Sequence, residues 1–159
     1  MDKTNALRIL DKAKIPYTLH EYSTDGIAVD ALEVSRRLHQ PIEKVYKTLL
    51  TVGASKQITV LVINGADELD LKKAAFILKE KNLELLPVSS LLTVSGYVRG
   101  GCSPIGMKKQ FTTIFDEKIK ILKTVIVSAG RIGLQMEIEP VALINCLHGS
   151  VSDLVKQSK

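Results

Sequence analysis

Val45-Tyr46-Lys47-Thr48-Leu49-Leu50-Thr51-Val52, the turn Gly53-Ala54-Ser55-Lys56 and Gln57-Ile58-Thr59-Val60-Leu61-Val62-Ile63 together decide the fold class. Two runs rich in β-branched residues flank a four-residue turn, which is the pattern of a β-hairpin. A period of two puts Lys47 on the same face as Val45 and Leu49. If that face is interior, the ammonium sits among apolar neighbours and needs an anionic partner, a ligand or a lowered pKa. If it is exposed, Lys47 is an ordinary edge-strand lysine that opposes aggregation. Both readings stand.

The chain on either side supplies both helices and strands. Thr4 reads as the N-cap of a helix in which Ala6, Leu7, Leu10 and Ala13 recur, ended by Ile15-Pro16. Residues 17–22 read as a strand, and residues 28–38 as an amphipathic helix with Ala31, Leu32, Ser35 and Leu38 inward. Pro41-Ile42-Glu43-Lys44 is one turn, and Asp70 caps a helix whose Leu71, Ala74, Ala75 and Leu78 face the core. A short strand at 83–87 and a brief helical turn at Ser89-Ser90 follow. Strands are then expected near 111–115, 124–128 and 134–138, a helix from Pro140 to about 147, and a last short helix near 155. This mixture has no regular βαβ alternation. The expectation is an α/β fold, with a mixed, barrel-like sheet of about seven strands and flanking helices, in one domain over residues 1–159.

Composition narrows the function classes. A 45% hydrophobic and 25% charged chain of 159 residues is an ordinary globular one. Cys102 and Cys146 make no disulfide framework, which favours a reducing cytoplasm. No apolar run reaches membrane-spanning length. The net charge of +5 mildly favours a polyanionic partner, while no tryptophan and three phenylalanines argue against an aromatic stacking platform. His20, His39 and His148 share no ligand spacing and the cysteines form no Cys-x-x-Cys, so no metal or cofactor is expected.

Gly96-Tyr97-Val98-Arg99-Gly100-Gly101-Cys102-Ser103-Pro104-Ile105-Gly106 is the other informative run. Four glycines and a proline suit a loop that turns sharply and lets a ligand approach bare amide N–H groups; they also suit a plain connection. No Gly-Lys-Ser/Thr closes it as a phosphate loop, and Ser103 lies in no Gly-x-Ser-x-Gly. Cys102 is either a reactive thiol or a small apolar filler. Ser128-Ala129-Gly130-Arg131-Ile132-Gly133 is a second glycine turn, a hairpin by itself and a pocket rim beside the first.

Val45-Tyr46-Lys47-Thr48-Leu49, Leu69-Asp70-Leu71-Lys72-Lys73, the two glycine runs and Glu137, in this order over nearly the whole chain, resemble the YbaK/EbsC family, the Cys-tRNA(Pro) deacylases. The resemblance implies a fold related to the editing insertion of bacterial prolyl-tRNA synthetase. It also implies an activity in trans, removing cysteine from tRNA(Pro), with Cys-tRNA(Cys) as a further substrate. Carried over, Lys47 binds and orients the aminoacyl-adenosine end, and the Gly100 and Gly101 amides hold the ester carbonyl and its developing oxyanion. Tyr22, Ser103, Ser128 and Gly130 contact substrate. In this family the substrate thiol is thought to attack its own ester, which needs neither triad nor metal. The 3' end of an aminoacylated tRNA is the implied partner, prolyl-tRNA synthetase a second, and Arg36-Arg37 either a tRNA contact or a solvated basic face. Two positions depart from the family: residues 26–31 lack a phenylalanine, and Gln135 stands where some members have aspartate. The competing expectations are a deacylase for another small residue, such as Ala-tRNA(Pro), and a non-catalytic binder of tRNA ends or of the synthetase.

Overall fold

The structure, a computed structural model, describes residues 2–157. Helix α1 (Asn5–Lys12) begins at Thr4, whose hydroxyl accepts from the Leu7 N–H at 3.3 Å. Strand β1 (Thr18–Glu21) and helix α2 (Ala31–Leu38) follow, the latter capped by Asp30. A 3-10 turn (Ile42–Lys44) leads into the hairpin β2 (Tyr46–Gly53) and β3 (Ile58–Asn64). Next come α3 (Leu71–Leu78), β4 (Leu83–Leu85), α4 (Val88–Ser95) and β5 (Thr112–Asp116). A second 3-10 turn (Glu117–Ile121) precedes β6 (Val125–Arg131), β7 (Leu134–Ile138), α5 (Pro140–Cys146) and β8 (Ser150–Ser152).

Among the described residues eight strands form two sheets, ordered β1-β7-β6 and β4-β2-β3-β5-β8. The first is antiparallel; in the second, β5 runs parallel to β3 and to β8. The main core fills the space between them, with Tyr46, Leu50, Val60 and Val62 facing Val125, Val127, Leu134, Met136 and Ile138. Leu61 and Ile63 point the other way, under Ala74 and Ala75 of α3. A third cluster joins Val34 of α2 to Tyr22, Val45 and Ile126.

The arrangement is barrel-like, as expected, without closing: one parallel bridge, Val45 to Ile126, links the two sheets, and β1, β4 and β8 remain edges. Three expectations are corrected. The short helix expected near 155 is instead strand β8 with an extended tail, because Leu154 and Val155 insert into the cluster under α3. Leu32 is 62% exposed, and Val34 and Ser35 take the inner face of α2. The turn at Ser89-Ser90 extends to a two-turn helix, stopped at Gly96.

Candidate functional site

The two sheets leave a gap at one edge of β2. Val45 reaches β6 through the bridge to Ile126, and Thr51–Gly53 pair with β4. Between these contacts, residues 46–49 have no strand neighbour on that side. Tyr46, Lys47, Thr48 and Leu49 line a cleft of about 680 Å³, within the range of small-ligand sites. The segment before α2 (Ile27, Ala28, Val29 and Asp30) forms another wall. Arg99, Gly100 and Cys102 of the first glycine run and Ser128 and Gln135 of the β6–β7 hairpin complete it.

Lys47 sits where apolar packing changes over. Val45 belongs to the cluster under α2 and Leu49 packs on the cluster under α3, so the lysine occupies the break between them. Its Nζ donates to the Gly65 carbonyl at a long 3.4 Å. Among the described residues no carboxylate lies within ion-pair reach of it, whereas Lys44, three residues earlier, is paired with Glu137. Val45 on this face is buried while Lys47 and Leu49 are half-buried, so the face falls between the interior and exposed readings, and the ammonium lies on the cleft wall with no carboxylate partner among the described residues.

The two glycine bends touch each other. Gly101 packs against the β6–β7 bend so closely that a Cβ there meets Arg131 Cα at 2.8 Å and Ile132 N at 2.9 Å. Gly100, at φ +84°, leaves a Cβ only 2.7 Å from Ala28 Cβ. At both positions a side chain would collide with backbone or with a neighbouring Cβ, so glycine is required. The Gly101 N–H donates to the Val98 carbonyl at 3.0 Å and closes the turn, so it is not the free donor expected of it. Among the described residues the Gly100 N–H has no partner. The Ser128 hydroxyl accepts from the Gly130 N–H at 3.2 Å and keeps its own proton to donate.

Four expected site residues lie off the cleft surface. Ser103 is fully buried, its hydroxyl accepting from the Ile105 N–H at 3.2 Å, which shapes the loop from inside. Gly130, at φ +112°, turns toward α1, where a Cβ meets Thr4 and the Tyr97 ring at 3.1 Å each. Gly101 is spent as above. Tyr22 packs one layer behind, against Val34 and Val45, with Arg37 5.4 Å from its ring centroid and its hydroxyl unpartnered among the described residues. Arg36 and Arg37 both bond Glu33, which the two guanidiniums hold at about 2, so one carboxylate offsets one of the two charges. Burial pushes the Cys102 thiol up to about 11, the condition of a filler rather than a thiolate.

Thr48, Arg99 and Gly65 line the cleft although the sequence did not single them out. Thr48 and Arg99 lie inside the two quoted motifs, and that proximity was the available signal. Glu137 accepts from His20 at 2.7 Å and from Lys44 and Thr124, joining β1, β7 and the approach to β2. Burial raises its pKa, but these donors outweigh burial and hold the carboxyl at about 2. Among the described residues, no group of three His, Cys, Asp or Glu could hold a metal ion. Among the described residues no helix is long and apolar enough to cross a membrane.

Residues 28–146 match the model of the aminoacyl-tRNA editing domain. A protein of Enterococcus faecalis named "Putative Cys-tRNA(Pro)/Cys-tRNA(Cys) deacylase EbsC" is 40% identical over 152 residues, 96% of this chain and 93% of that protein. The proline–tRNA ligase of Acidithiobacillus ferrooxidans is 29% identical over 104 residues, covering 65% of this chain and 18% of the ligase. The fold matches that of "a putative trans-editing enzyme for prolyl tRNA synthetase" with TM-score 0.83 at 19% identity, over 99% of this chain and all of that one. It also matches "hypothetical protein APE2540" with TM-score 0.87 at 17% identity, over 96% of this chain and all of that one. Sharing the editing-domain match over most of its length and 40% identity with EbsC, the chain belongs to the YbaK-related family of aminoacyl-tRNA editing domains.

Proposed function

We propose that the chain is a trans-editing deacylase that clears cysteine from tRNA(Pro), and also from tRNA(Cys), in the cytoplasm. The observation that carries this reading is the Lys47 ammonium, without a carboxylate partner among the described residues, in a cleft walled by the first glycine run and by Ser128 and Gln135, which flank the second. Family membership and the name of the 40% identical relative support it. A pocket that accepts proline rejects cysteine poorly, since size and apolar contact alone discriminate by about 10- to 200-fold. A second site applies a different test to the charged tRNA.

The substrate enters as the 3'-terminal aminoacyl-adenosine. Lys47 binds the ribose or terminal phosphate and fixes the ester in place. The Gly100 N–H and the Ser128 hydroxyl are the donors at hand for the ester carbonyl and the oxyanion that develops from it. The substrate sulfur then attacks its own carbonyl carbon, the bond from that carbon to the ribose oxygen breaks, and that oxygen takes up the thiol proton. The products are free tRNA and a cysteine thiolactone. Holding thiol and carbonyl in reach is most of the catalysis, so the protein needs no nucleophile of its own. Prolyl-tRNA synthetase is the proposed partner, handing over the mischarged tRNA.

The test is the rate of loss of amino acid from Cys-, Ser- and Ala-tRNA(Pro), with and without the synthetase. Cysteine is expected to be lost far faster than in buffer, and serine and alanine slowly. Equal loss of all three removes the thiol step and leaves a water-based deacylase. No acceleration of any leaves a binder of tRNA ends.

A further inference from the structure

Thr48 is a polar side chain that the reaction above does not use. Its hydroxyl is shut off from solvent and, among the described residues, has no hydrogen-bond partner. Such a hydroxyl is a cost that valine, of nearly the same shape, avoids. The Tyr22 hydroxyl shares this condition but lies one layer behind the cleft, whereas Thr48 is half-buried and lines the cleft beside Lys47. Alternation along β2 sends Lys47 and Thr48 to opposite faces. Lys47 shares the outer face with Val45 and Leu49, which pack toward α2 and α3. Thr48 falls between Tyr46 and Leu50, whose side chains belong to the main core between the sheets. One rotamer step about χ1 exchanges its hydroxyl with its methyl group, and the hydroxyl has no bond to lose by turning. A donor and acceptor thus stands ready at the inner side of the cleft.

The order of groups across the cleft says which part of the substrate meets it. In the reaction above, Lys47 takes the ribose or phosphate from the outer face, and the Gly100 N–H and Ser128 hydroxyl stand at the ester carbonyl. The amino acid lies beyond the carbonyl. Its α-ammonium has an anion on the outer wall in Asp30, which is exposed and spends only one carboxylate oxygen on the Glu33 N–H, at 2.9 Å. The inner side, bounded by Tyr46, Leu50 and the Cys102 thiol, suits an uncharged group. We infer that Thr48 is a specificity residue whose Oγ1 accepts from the side-chain S–H or O–H of the bound aminoacyl ester. The cleft therefore binds small side chains that end in a polar hydrogen, cysteine and serine, and disfavours apolar ones of the same size. Binding reads the polar hydrogen, and the thiol step then reads sulfur over oxygen. The inference rests on the deacylase reading of the same cleft.

The experiment reads binding, so that the thiol chemistry does not enter. The probes are 3'-amino-3'-deoxyadenosine joined by an uncleavable amide to cysteine or to α-aminobutyrate, which carries a methyl group in place of the thiol. Each is titrated into the full chain as wild type, Thr48→Val and Thr48→Ser, with thermal melts and a Cys-tRNA(Pro) deacylation assay on the same preparations. Wild type is expected to bind the cysteinyl probe roughly 3- to 10-fold tighter, the worth of one neutral hydrogen bond. Thr48→Val should melt no lower than wild type and bring the two probes within about twofold of each other, mainly by weakening the cysteinyl one. Thr48→Ser keeps the hydroxyl and should keep the preference. If Thr48→Val weakens both probes by one factor, keeps the preference or melts well below wild type, the hydroxyl is structural and the inference falls alone. A wild type that clears Cys-tRNA(Pro) yet shows no preference for the cysteinyl probe overturns it equally. If wild type neither binds a probe nor accelerates loss of cysteine, the deacylase reading falls and takes the inference with it.

Discussion

An ammonium that has given up part of its hydration without finding a carboxylate is a cost the empty protein carries at Lys47. Removing it should cost function rather than stability. Lys47→Ala is expected to lower kcat/KM for Cys-tRNA(Pro) by about 100-fold, the scale of a misplaced reacting group. Its unfolding free energy should change by less than about 0.5 kcal/mol, because one long contact to a carbonyl is all that is lost. Equal loss of activity and melting temperature would make Lys47 a structural residue. Cys102 gives a second residue-level expectation. With burial holding its thiol at about 11, alkylation by iodoacetamide at pH 8 should run far below the rate for free cysteine. Fast labelling at Cys102 would reopen a protein nucleophile. The sequence narrowed Lys47 to a face by alternation alone, but whether that face lay inside depended on α2 and the β6–β7 hairpin, remote in sequence. Ser103 and Gly130 shared the motifs of the site while turning away from it, since a motif records which residues co-occur and not which way each points.

At the scale of elements, the cleft is held open by contacts between bends and held together by a clamp between strands. Gly101→Ala forces a Cβ into the backbone of residues 131 and 132, where neither side can yield as a flexible side chain would. The variant is expected to lose about 1–3 kcal/mol and most activity, read from urea unfolding and deacylation of the same preparation. A wild-type midpoint and rate would show that the bends separate freely. The clamp on Glu137 supplies a pH dependence. Its carboxyl falls from an ordinary 4.5 to about 2 on folding, so its stabilisation is complete above about 4.5 and drains away as pH drops toward 2. At most about 3 kcal/mol is at stake. Unfolding free energy should therefore fall between pH 5 and pH 3, and Glu137→Gln should flatten that slope; an unchanged slope would remove the clamp. Helices and strands with strong periodicity, such as α1, α3 and the β2–β3 hairpin, were legible in order and nearly in length. The clamp was not, because His20 and Lys44 meet Glu137 across 117 and 93 residues of chain. Strand β8 was missed for a related reason: three residues pair with β5 far upstream, with no period of their own.

The whole molecule offers a tRNA little beyond the cleft. Its net charge of +5 comes with several basic groups already committed, among them Arg36, Arg37, Lys44 and Lys73. It has no tryptophan, Phe115 is fully buried, and Phe76 of α3 is exposed as a single ring. One ring is no platform for successive bases, and affinity is expected to come mainly from cations against phosphates near the 3' end. Arg99 is the exposed candidate at the mouth. Binding of Cys-tRNA(Pro) should weaken steeply with salt, and Arg99→Ala should reduce the slope of log Kd against log salt by about 0.7, one single-strand phosphate contact. An acceptor-stem minihelix carrying the same ester should be deacylated with a kcat/KM within about threefold of full-length tRNA, since shape and end contacts are what the surface can read. A minihelix that binds tenfold worse, with an unchanged salt slope in Arg99→Ala, would mean that a second surface grips the tRNA body. Addition of prolyl-tRNA synthetase should then supply what the cleft does not, raising the rate on tRNA(Pro) while leaving the minihelix rate where it was.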